Sequence, residues 1–227
     1  MVDAIERVRE VRDRLVNAGT VVGPDGRSRE LFPVAIGVEE GLALRGWVRK
    51  ERARRTLEAG LGFAISTLFI VEGLLENGSD VTHVAADPYQ LKSLPTHRTT
   101  YAGVGLHTLE EAGVRDLVEF YWEESQIVLP RVLAEGRELD LVFLDGNHRF
   151  EAVFVDLFYS GRLLREEGAV FVDDTQLPGV RRALDFYVAN LGWAIEDGGK
   201  EGTHEWLVVR TGLRDAFLRP YAKFLDF

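Results

Sequence analysis

The sequence predicts an α/β protein with a mostly parallel seven-stranded sheet, a closing antiparallel hairpin and helices on both faces. Short apolar runs alternate with helical patterns along most of the chain, which is typical of parallel strands joined by crossover helices. Two of these runs, Leu141–Leu144 and Ala169–Val172, are apolar at every position. Continuous apolar runs indicate strands buried on both faces, because every side chain then meets a covering helix.

The N-terminal quarter of the chain is predicted to be helical. Apolar residues recur at helical spacing over Val2–Leu15, and a second helix is predicted for Val38–Arg54. Residues 23–26 between them are rich in glycine and proline and predict a connector. We therefore expect a helical segment at residues 1–54 that packs on a core of residues 55–227 in one structural domain.

The rest of the chain alternates between strand-like and helix-like patterns of apolar residues. Strands are predicted at Thr56–Ala59, Val81–Ala86, Leu117–Tyr121, Leu139–Leu144 and Ala169–Val172, with a hairpin of Trp193–Glu196 and Trp206–Arg210. Helices are predicted at Thr67–Glu76, Leu106–Ala112, Gln126–Glu135, Phe150–Arg165, Val180–Leu191 and Leu213–Phe224.

Composition excludes several classes of function. The net charge of −10 argues against a general nucleic-acid binder, which needs a surplus of basic residues. There is no cysteine, so disulfides, thiolate metal sites and cysteine nucleophiles are excluded. No run approaches the roughly 18 apolar residues of a membrane span, and the charged N-terminus lacks a signal core. A cytoplasmic protein with neither nucleic-acid nor membrane partners is expected.

The segment after the first predicted strand indicates a ligand site. Glu58 ends that strand, and Gly60, Gly62 and Ser66 follow it. Glycines let the backbone approach a ligand closely, and the next helix offers free N–H groups. The carboxylate would repel a phosphate and attract an ammonium group, and the third glycine of the dinucleotide motif is missing. A tight strand-to-helix turn capped by Ser66 explains the glycines about equally well.

Polar side chains also follow the next two strands. Asp87 ends the second strand, where an acid in a Rossmann-like unit hydrogen-bonds ribose hydroxyls. The alternative is a solvated turn aspartate before Pro88. Ser125 and Gln126 follow the third strand. Ser125 is also a suitable helix N-cap, and Gln126 could face either water or an adenine edge.

Three carboxylates follow the fourth and fifth strands. Asp145 ends one strand, and Asp173 and Asp174 end its expected neighbour. Such a cluster repels itself unless a cation compensates it, and oxygen ligands suit Mg²⁺, Mn²⁺ or Ca²⁺. The alternative is that one aspartate caps a helix while the others are solvated.

With these positions in place, the chain resembles the class I S-adenosylmethionine-dependent methyltransferases. It is most similar to the metal-dependent small-molecule O-methyltransferases, the catechol and macrocin-type group. The resemblance covers roughly residues 37–193. Its most specific stretches are Asp140–Val153, which contains Asp145-Gly-Asn-His148, and Gly168–Asp174. The resemblance implies a Rossmann-like methyltransferase fold, which agrees with the predicted sheet.

The resemblance also implies roles for the strand-end residues. The methionine end of S-adenosylmethionine would be held by Glu58, Gly60 and Gly62 with Ser66 nearby, the ribose by Asp87, and the adenine by Ser125 and Gln126. A divalent cation, expected to be Mg²⁺, would be ligated by Asp145, Asp173 and Asp174. Asp145 would thereby serve catalysis, because the cation lowers the pKa of the acceptor hydroxyl and aims it at the methyl group.

The chain departs from the family pattern at two positions. Ala64 stands where the family usually has a glycine, so either Ala64 adopts that backbone conformation or Gly62 takes over the role. Asn147 stands where sugar-type relatives commonly have an aspartate base. We expect His148 to act as the base, since its ordinary pKa near 6.5 suits proton transfer. A structural histidine is the alternative.

The leading hypothesis is a metal-assisted O-methyltransferase for a small hydroxylated acceptor, with residues 1–54 acting as an acceptor lid or a homodimer contact. Loop Pro95–Gly105 and the hairpin would complete the acceptor pocket. Ala64 and Asn147 motivate a second hypothesis, a non-catalytic relative that binds the nucleoside or dimerises. A nicotinamide-dependent dehydrogenase is a third, disfavoured by the missing glycine and by the lack of a Tyr-x-x-x-Lys pair. The identity of the acceptor is open.

Overall fold

The computed structural model describes residues 2–91, 100–212 and 224–227. The helix predicted at Leu213–Phe224 therefore lies, except for Phe224, outside the described residues, as do residues 95–99 of the expected acceptor loop. Among the described residues, no helix is both long and apolar enough to cross a bilayer.

Helices and strands alternate along the chain. The helices are α1 (Val2–Ala18), α2 (Val38–Lys50), α3 (Ile65–Asn77), α4 (Val104–Glu111), α5 (Ser125–Ala134), α6 (Phe150–Leu163) and α7 (Pro178–Leu191). The strands are β1 (Thr20–Val22), β2 (Ser28–Glu30), β3 (Arg55–Ala59), β4 (Thr82–Ala86), β5 (Val118–Tyr121), β6 (Leu139–Leu144), β7 (Leu164–Val172), β8 (Ala194–Glu201) and β9 (His204–Arg210).

Seven of these strands form one sheet in the order β5-β4-β3-β6-β7-β9-β8. Strands β3 to β7 pair in parallel, whereas β9 pairs antiparallel with both β7 and β8. The predicted fold class is confirmed. Strand order reverses between β3 and β6, and open sheets of this kind bind ligands in the crevice at that switch point.

The sheet separates two apolar cores. Along β6, Leu141 and Phe143 belong to the core that α1, α2 and α3 cover. Val142 and Leu144 belong to the core beneath α6 and α7. Successive strand side chains point to opposite faces, which explains why residues 141–144 of this strand are apolar at every position.

Ion pairs join α1 to α2 and α3. The Glu72 carboxylate, 1% exposed, lies 2.6 Å from Arg9 Nε and 3.0 Å from Arg45 Nε, and it also contacts the Arg12 guanidinium. Val8 and Val11 of α1 lie in the same apolar core as α3. The N-terminal helix is therefore packed on the sheet-covering layer through both charged and apolar contacts.

Several element boundaries differ from the prediction. The connector after α1 forms a small antiparallel hairpin of β1 and β2. Helix α2 ends at Lys50 because Arg52, at φ +49°, turns the chain into β3. The segment predicted as a turn after residue 196 continues β8. Its glycines are explained by packing, since a Cβ on Gly199 would lie 2.1 Å from the Trp206 ring.

Candidate active site

A cavity of about 970 Å³ opens at the carboxyl ends of β3, β4, β6 and β7. Its lining includes every residue predicted for the site except Glu58, namely Gly60, Gly62, Ser66, Asp87, Ser125, Gln126, Asp145, His148, Asp173 and Asp174. Parallel strands bring their ends to one edge of the sheet, which is why residues so far apart in sequence meet here.

The glycine loop between β3 and α3 forms the floor of the cavity. Gly60 has φ +98°, and a Cβ there would lie 2.0 Å from the carbonyl oxygen of Asp145. Gly62 also has positive φ, at +50°. Ala64 has φ +68° and is fully buried. Of the two alternatives raised by the sequence, Ala64 itself adopts the left-handed conformation that a glycine would favour.

Glu58 lies behind this loop and does not line the cavity. Its side chain is 0% exposed and accepts hydrogen bonds from Ser66 Oγ at 3.0 Å and from Thr67 Oγ1. His83 Nε2 lies 3.2 Å from the same carboxylate, and His83 Nδ1 lies 2.8 Å from Thr56 Oγ1. Glu58 thus positions Ser66 in the cavity wall, while its predicted contact with an ammonium group stays a prediction.

Asp87 connects the end of β4 to the glycine loop. Its Oδ2 accepts hydrogen bonds from the Gly62 amide at 3.0 Å and from Gln90 Nε2 at 2.8 Å, and its Oδ1 accepts from the Tyr89 amide at 2.7 Å. Burial raises the pKa of Asp87, and these three donors oppose the shift. Gln90 also donates to the Gly62 carbonyl. Sequence reasoning missed Gln90, because an amide in a turn has no distinctive pattern.

Ser125 and Gln126 form the wall at the start of α5. Ser125 makes no N-cap bond, and its Oγ donates to Asp156 Oδ2 at 3.0 Å. Gln126 Nε2 is buried and has no hydrogen-bond partner among the residues that the structure describes. A buried donor without a partner costs about 1–3 kcal/mol, so this amide is suited to a ligand acceptor in the cavity.

Acidic side chains and two imidazoles gather at the other end of the cavity. Asp174 has one oxygen 3.2 Å from His148 Nε2 and the other 3.2 Å from His204 Nδ1. His148 Nε2 also lies 3.6 Å from Asp145. Potential metal-ligand atoms of Asp145, His148 and Asp174 lie within 4.8 Å of one another, and so do those of Asp173, Asp174 and His204.

Glu40 joins this cluster from α2. Its side chain is 1% exposed, lines the same cavity and contacts the Asp173 carboxylate. Burial, together with the Asp173 charge, raises the pKa of Glu40 far above its ordinary value. Burial also raises the pKa values of Asp145 and Asp173. The cluster therefore favours bound protons or a cation that compensates its charge.

His148 and Asn147 are adjacent in sequence but have different surroundings and contacts. The neighbouring Asp145 carboxylate raises the pKa of His148 above its ordinary value, although partial burial opposes the shift. Asn147 Oδ1 accepts a hydrogen bond from the Arg149 amide just before α6. Asn147 thus has a structural role in the turn, and His148 is the titratable side chain of this segment.

Sequence reasoning missed two residues at this end of the cavity, Glu40 and His204. Glu40 lies in the first turn of α2, where an acid is also expected from the helix dipole. His204 begins β9 directly after the hairpin turn, where polar residues are common. Neither position follows a parallel strand, so the strand-end rule could not find them.

Comparison with known proteins identifies the class. A family model described as a methyltransferase domain matches residues 57–175, which is more than half of the chain. The chain belongs to this methyltransferase family. The matched range contains all of the predicted cofactor residues and the three predicted metal ligands.

The more particular similarities are to O-methyltransferases. The chain is 31% identical over 150 residues to catechol O-methyltransferase from Mycobacterium tuberculosis, covering 66% of this chain and 60% of that protein. It is 28% identical over 119 residues to caffeoyl-CoA O-methyltransferase from Populus kitakamiensis, covering 52% and 46%. The matches thus span less than two thirds of either relative. In fold, the chain is similar to an O-methyltransferase from Bacillus cereus solved with SAH, at TM-score 0.67, 16% identity and 91% coverage of both chains.

Proposed function

We propose that the chain transfers a methyl group from S-adenosylmethionine to a hydroxyl group of a small acceptor, assisted by a divalent cation. The observation that carries the proposal is that one cavity contains both halves of the necessary site. The glycine loop, Asp87 and Gln126 line one part, and the acid cluster with His148 lines another. The named activities of the two similar sequences support the oxygen acceptor.

The nucleoside fits the first half of the cavity. Gly60 and Gly62 line this part of the cavity, and Gln126 offers a buried donor without a partner in the described structure. Asp87 would hold the ribose hydroxyls, which an acid at this strand end does in Rossmann-like folds. Ser66 and the loop amides would hold the methionine end. When bound, S-adenosylmethionine supplies a sulfonium methyl group for transfer.

A divalent cation fits the second half. Asp145, Asp173 and Asp174 would hold it, as the sequence predicted, and Glu40 Oε1 is buried beside them without a partner in the described part of the chain. Burial and mutual charge raise the pKa values of Glu40, Asp145 and Asp173, and grouped carboxylates of this kind have the chemistry of a hard-cation site. When bound, a divalent cation lowers the pKa of a hydroxyl that it contacts.

His148 would move the proton. Its Nε2 faces Asp145 and Asp174 from the cavity wall and would accept the proton that leaves the acceptor hydroxyl. The acceptor oxygen would then bond the methyl carbon as the carbon–sulfur bond breaks, with S-adenosylhomocysteine as the leaving group. Such an in-line displacement depends chiefly on orientation, and the cavity walls provide it.

Residues 32–37, which precede α2, and Val38 at its start form part of the cavity wall. This placement supports the proposal that the N-terminal segment covers the acceptor. Its role as a homodimer contact stays a prediction. The two positions that motivated a non-catalytic alternative have structural explanations, since Ala64 adopts the needed backbone conformation and Asn147 forms the turn before α6.

Calorimetry with S-adenosylhomocysteine and turnover of a panel of catechols and hydroxycinnamoyl thioesters, with and without chelator, test the proposal. We expect micromolar binding and chelator-sensitive methylation. His148→Gln should lower kcat by about 10²-fold or more and leave nucleoside affinity unchanged. His107→Gln, at an exposed position of α4, is the matched control and should behave as the wild type. Absence of nucleoside binding at millimolar concentration would refute the proposal.

A further inference from the structure

His204 lines the cavity but has no part in the methyl transfer described above. It is the first residue of β9, and its Nδ1 lies 3.2 Å from Asp174 Oδ1. The side chain is 42% exposed, so it is held at the surface of the site and not enclosed in the core. Its ligand atom lies within 4.8 Å of those of Asp173 and Asp174.

Hydrogen bonds between the loop after β7 and the start of β9 hold His204 close to Asp174. The Thr175 amide donates to the Glu205 carbonyl at 2.8 Å, and the Glu205 amide donates to Gln176 Oε1 at 2.7 Å. Gln176 Nε2 in turn donates to Asp174 Oδ1. Hydrogen bonds through Gln176 thereby connect the backbone beside His204 to the Asp174 carboxylate, which the His204 ring faces.

An independent observation points to a ligand at this place. Glu40 is 1% exposed, lines the same cavity and contacts Asp173, yet its Oε1 has no hydrogen-bond partner in the described part of the chain. A buried carboxyl oxygen without a partner is costly. A cation seated beside Asp173 would supply that partner.

We propose that His204 Nδ1 is a ligand of the divalent cation together with Asp173 and Asp174, so that the site prefers Mn²⁺, Co²⁺ or Zn²⁺ to Mg²⁺. The inference rests on the cation part of the proposed function. Mg²⁺ demands near-octahedral oxygen ligands and gives up water reluctantly, whereas imidazole nitrogen suits the later first-row ions. Adding one imidazole to the carboxylates of the proposed cation site therefore shifts selectivity away from Mg²⁺.

The competing explanation is that protonated His204 forms an ion pair with Asp174 and never contacts a cation. The two explanations differ in what the imidazole contributes. A ligand adds affinity for Co²⁺ and Mn²⁺, and it adds a nitrogen coupling to their electron spin. An ion-pair partner adds neither, and its removal would strengthen cation binding because a competing positive charge is lost.

The test uses the full chain after chelator treatment, with Co²⁺, Mn²⁺ and Mg²⁺ added separately and binding followed by calorimetry. His204→Phe keeps an aromatic ring at this position and removes the nitrogen that would bind the cation. His107→Phe is the control at an exposed position outside the cavity. We expect His204→Phe to weaken Co²⁺ binding at least about tenfold, to change Mg²⁺ binding by less than about threefold, and to remove a nitrogen modulation from the electron spin echo of bound Mn²⁺. Unchanged or stronger Co²⁺ binding with the nitrogen modulation intact overturns the proposal.

Nucleoside binding and methylation are measured on the same samples. A protein that binds Co²⁺ through His204 but methylates no acceptor retains this inference and loses the proposed function. A protein that methylates acceptors, but whose cation affinities are unchanged by His204→Phe, retains the proposed function and loses this inference. The two failures are therefore distinguishable.

Discussion

Gly60 lies directly against the backbone of Asp145, so that a Cβ on Gly60 would be 2.0 Å from the Asp145 carbonyl oxygen. The contact joins the ends of β3 and β6, the two strands between which strand order reverses. The glycine loop and the acid cluster are consequently held at a fixed separation by main chain alone.

Gly60→Ala should destroy this arrangement. The new Cβ cannot avoid a backbone atom, and clashes of this kind cost roughly 3 kcal/mol or more of unfolding free energy. Gly62→Ala is the matched variant, because its Cβ would lie 3.5 Å from Val34 and only the left-handed backbone conformation costs about 1 kcal/mol. Urea unfolding compares the two. Equal losses would show that the close approach of Gly60 is unimportant.

Asp145→Asn should lower methylation while leaving nucleoside binding nearly unchanged. The amide keeps the shape of the side chain but removes one charge from the proposed cation site, so methylation should fall by at least about 10²-fold. Nucleoside affinity should stay within about tenfold, since Gln126 and Asp87 are untouched. Turnover and calorimetry measure the two effects. Full activity in the variant would remove Asp145 from the cation site.

Gln126→Leu should weaken nucleoside binding. The substitution removes the buried amide donor that has no partner in the described structure, and a lost hydrogen bond of this kind costs about 1 kcal/mol, or roughly fivefold in Kd. Stability should rise or stay constant in the absence of ligand, because an unsatisfied donor is removed. A variant with normal S-adenosylhomocysteine affinity would place the adenine elsewhere.

Asp156→Asn should remove a pH dependence of stability. Burial raises the pKa of Asp156 from 3.8 to about 7, and the hydrogen bond from Ser125 only partly opposes this. The folded state therefore favours the protonated acid, so the stability of the wild type falls as pH rises from about 4 to about 7. The asparagine variant lacks this slope. Relative to the wild type, it should gain roughly 2 kcal/mol in unfolding free energy between pH 5 and pH 8. A constant difference across that range would contradict the shift.

The sheet and much of the candidate site were predictable because they follow from local rules. Runs such as Leu141–Leu144 are apolar at every position only when both faces are covered. Parallel strands bring their ends together, so Asp87, Asp145 and Asp173 could be placed in one cavity without coordinates. Glu58 satisfied the same rule yet lies behind Ser66, because the rule fixes the strand end but not the direction of the side chain.

The remaining site residues come from outside the parallel strands. Glu40 enters from a helix that precedes the sheet, and His204 enters from the antiparallel hairpin. Their approach to Asp173 and Asp174 depends on how distant segments dock, which no short sequence window encodes. The extension of β8 was missed for a related reason. Glycines are typical of turns, but the ring of Trp206 occupies the space above Gly199 in the strand.

The carboxylate of Glu201 accepts hydrogen bonds from the backbone amides of Glu39 at 2.9 Å and Glu40 at 3.2 Å. The partners lie 162 and 161 residues apart in sequence. During synthesis on the ribosome, this bond at the start of α2 therefore cannot form until residue 201 has been made. A nascent chain released before residue 201 would have all of the strands β3 to β7 but an unfinished binding cleft, so ligand capture should begin only after the hairpin of β8 and β9 has been synthesised.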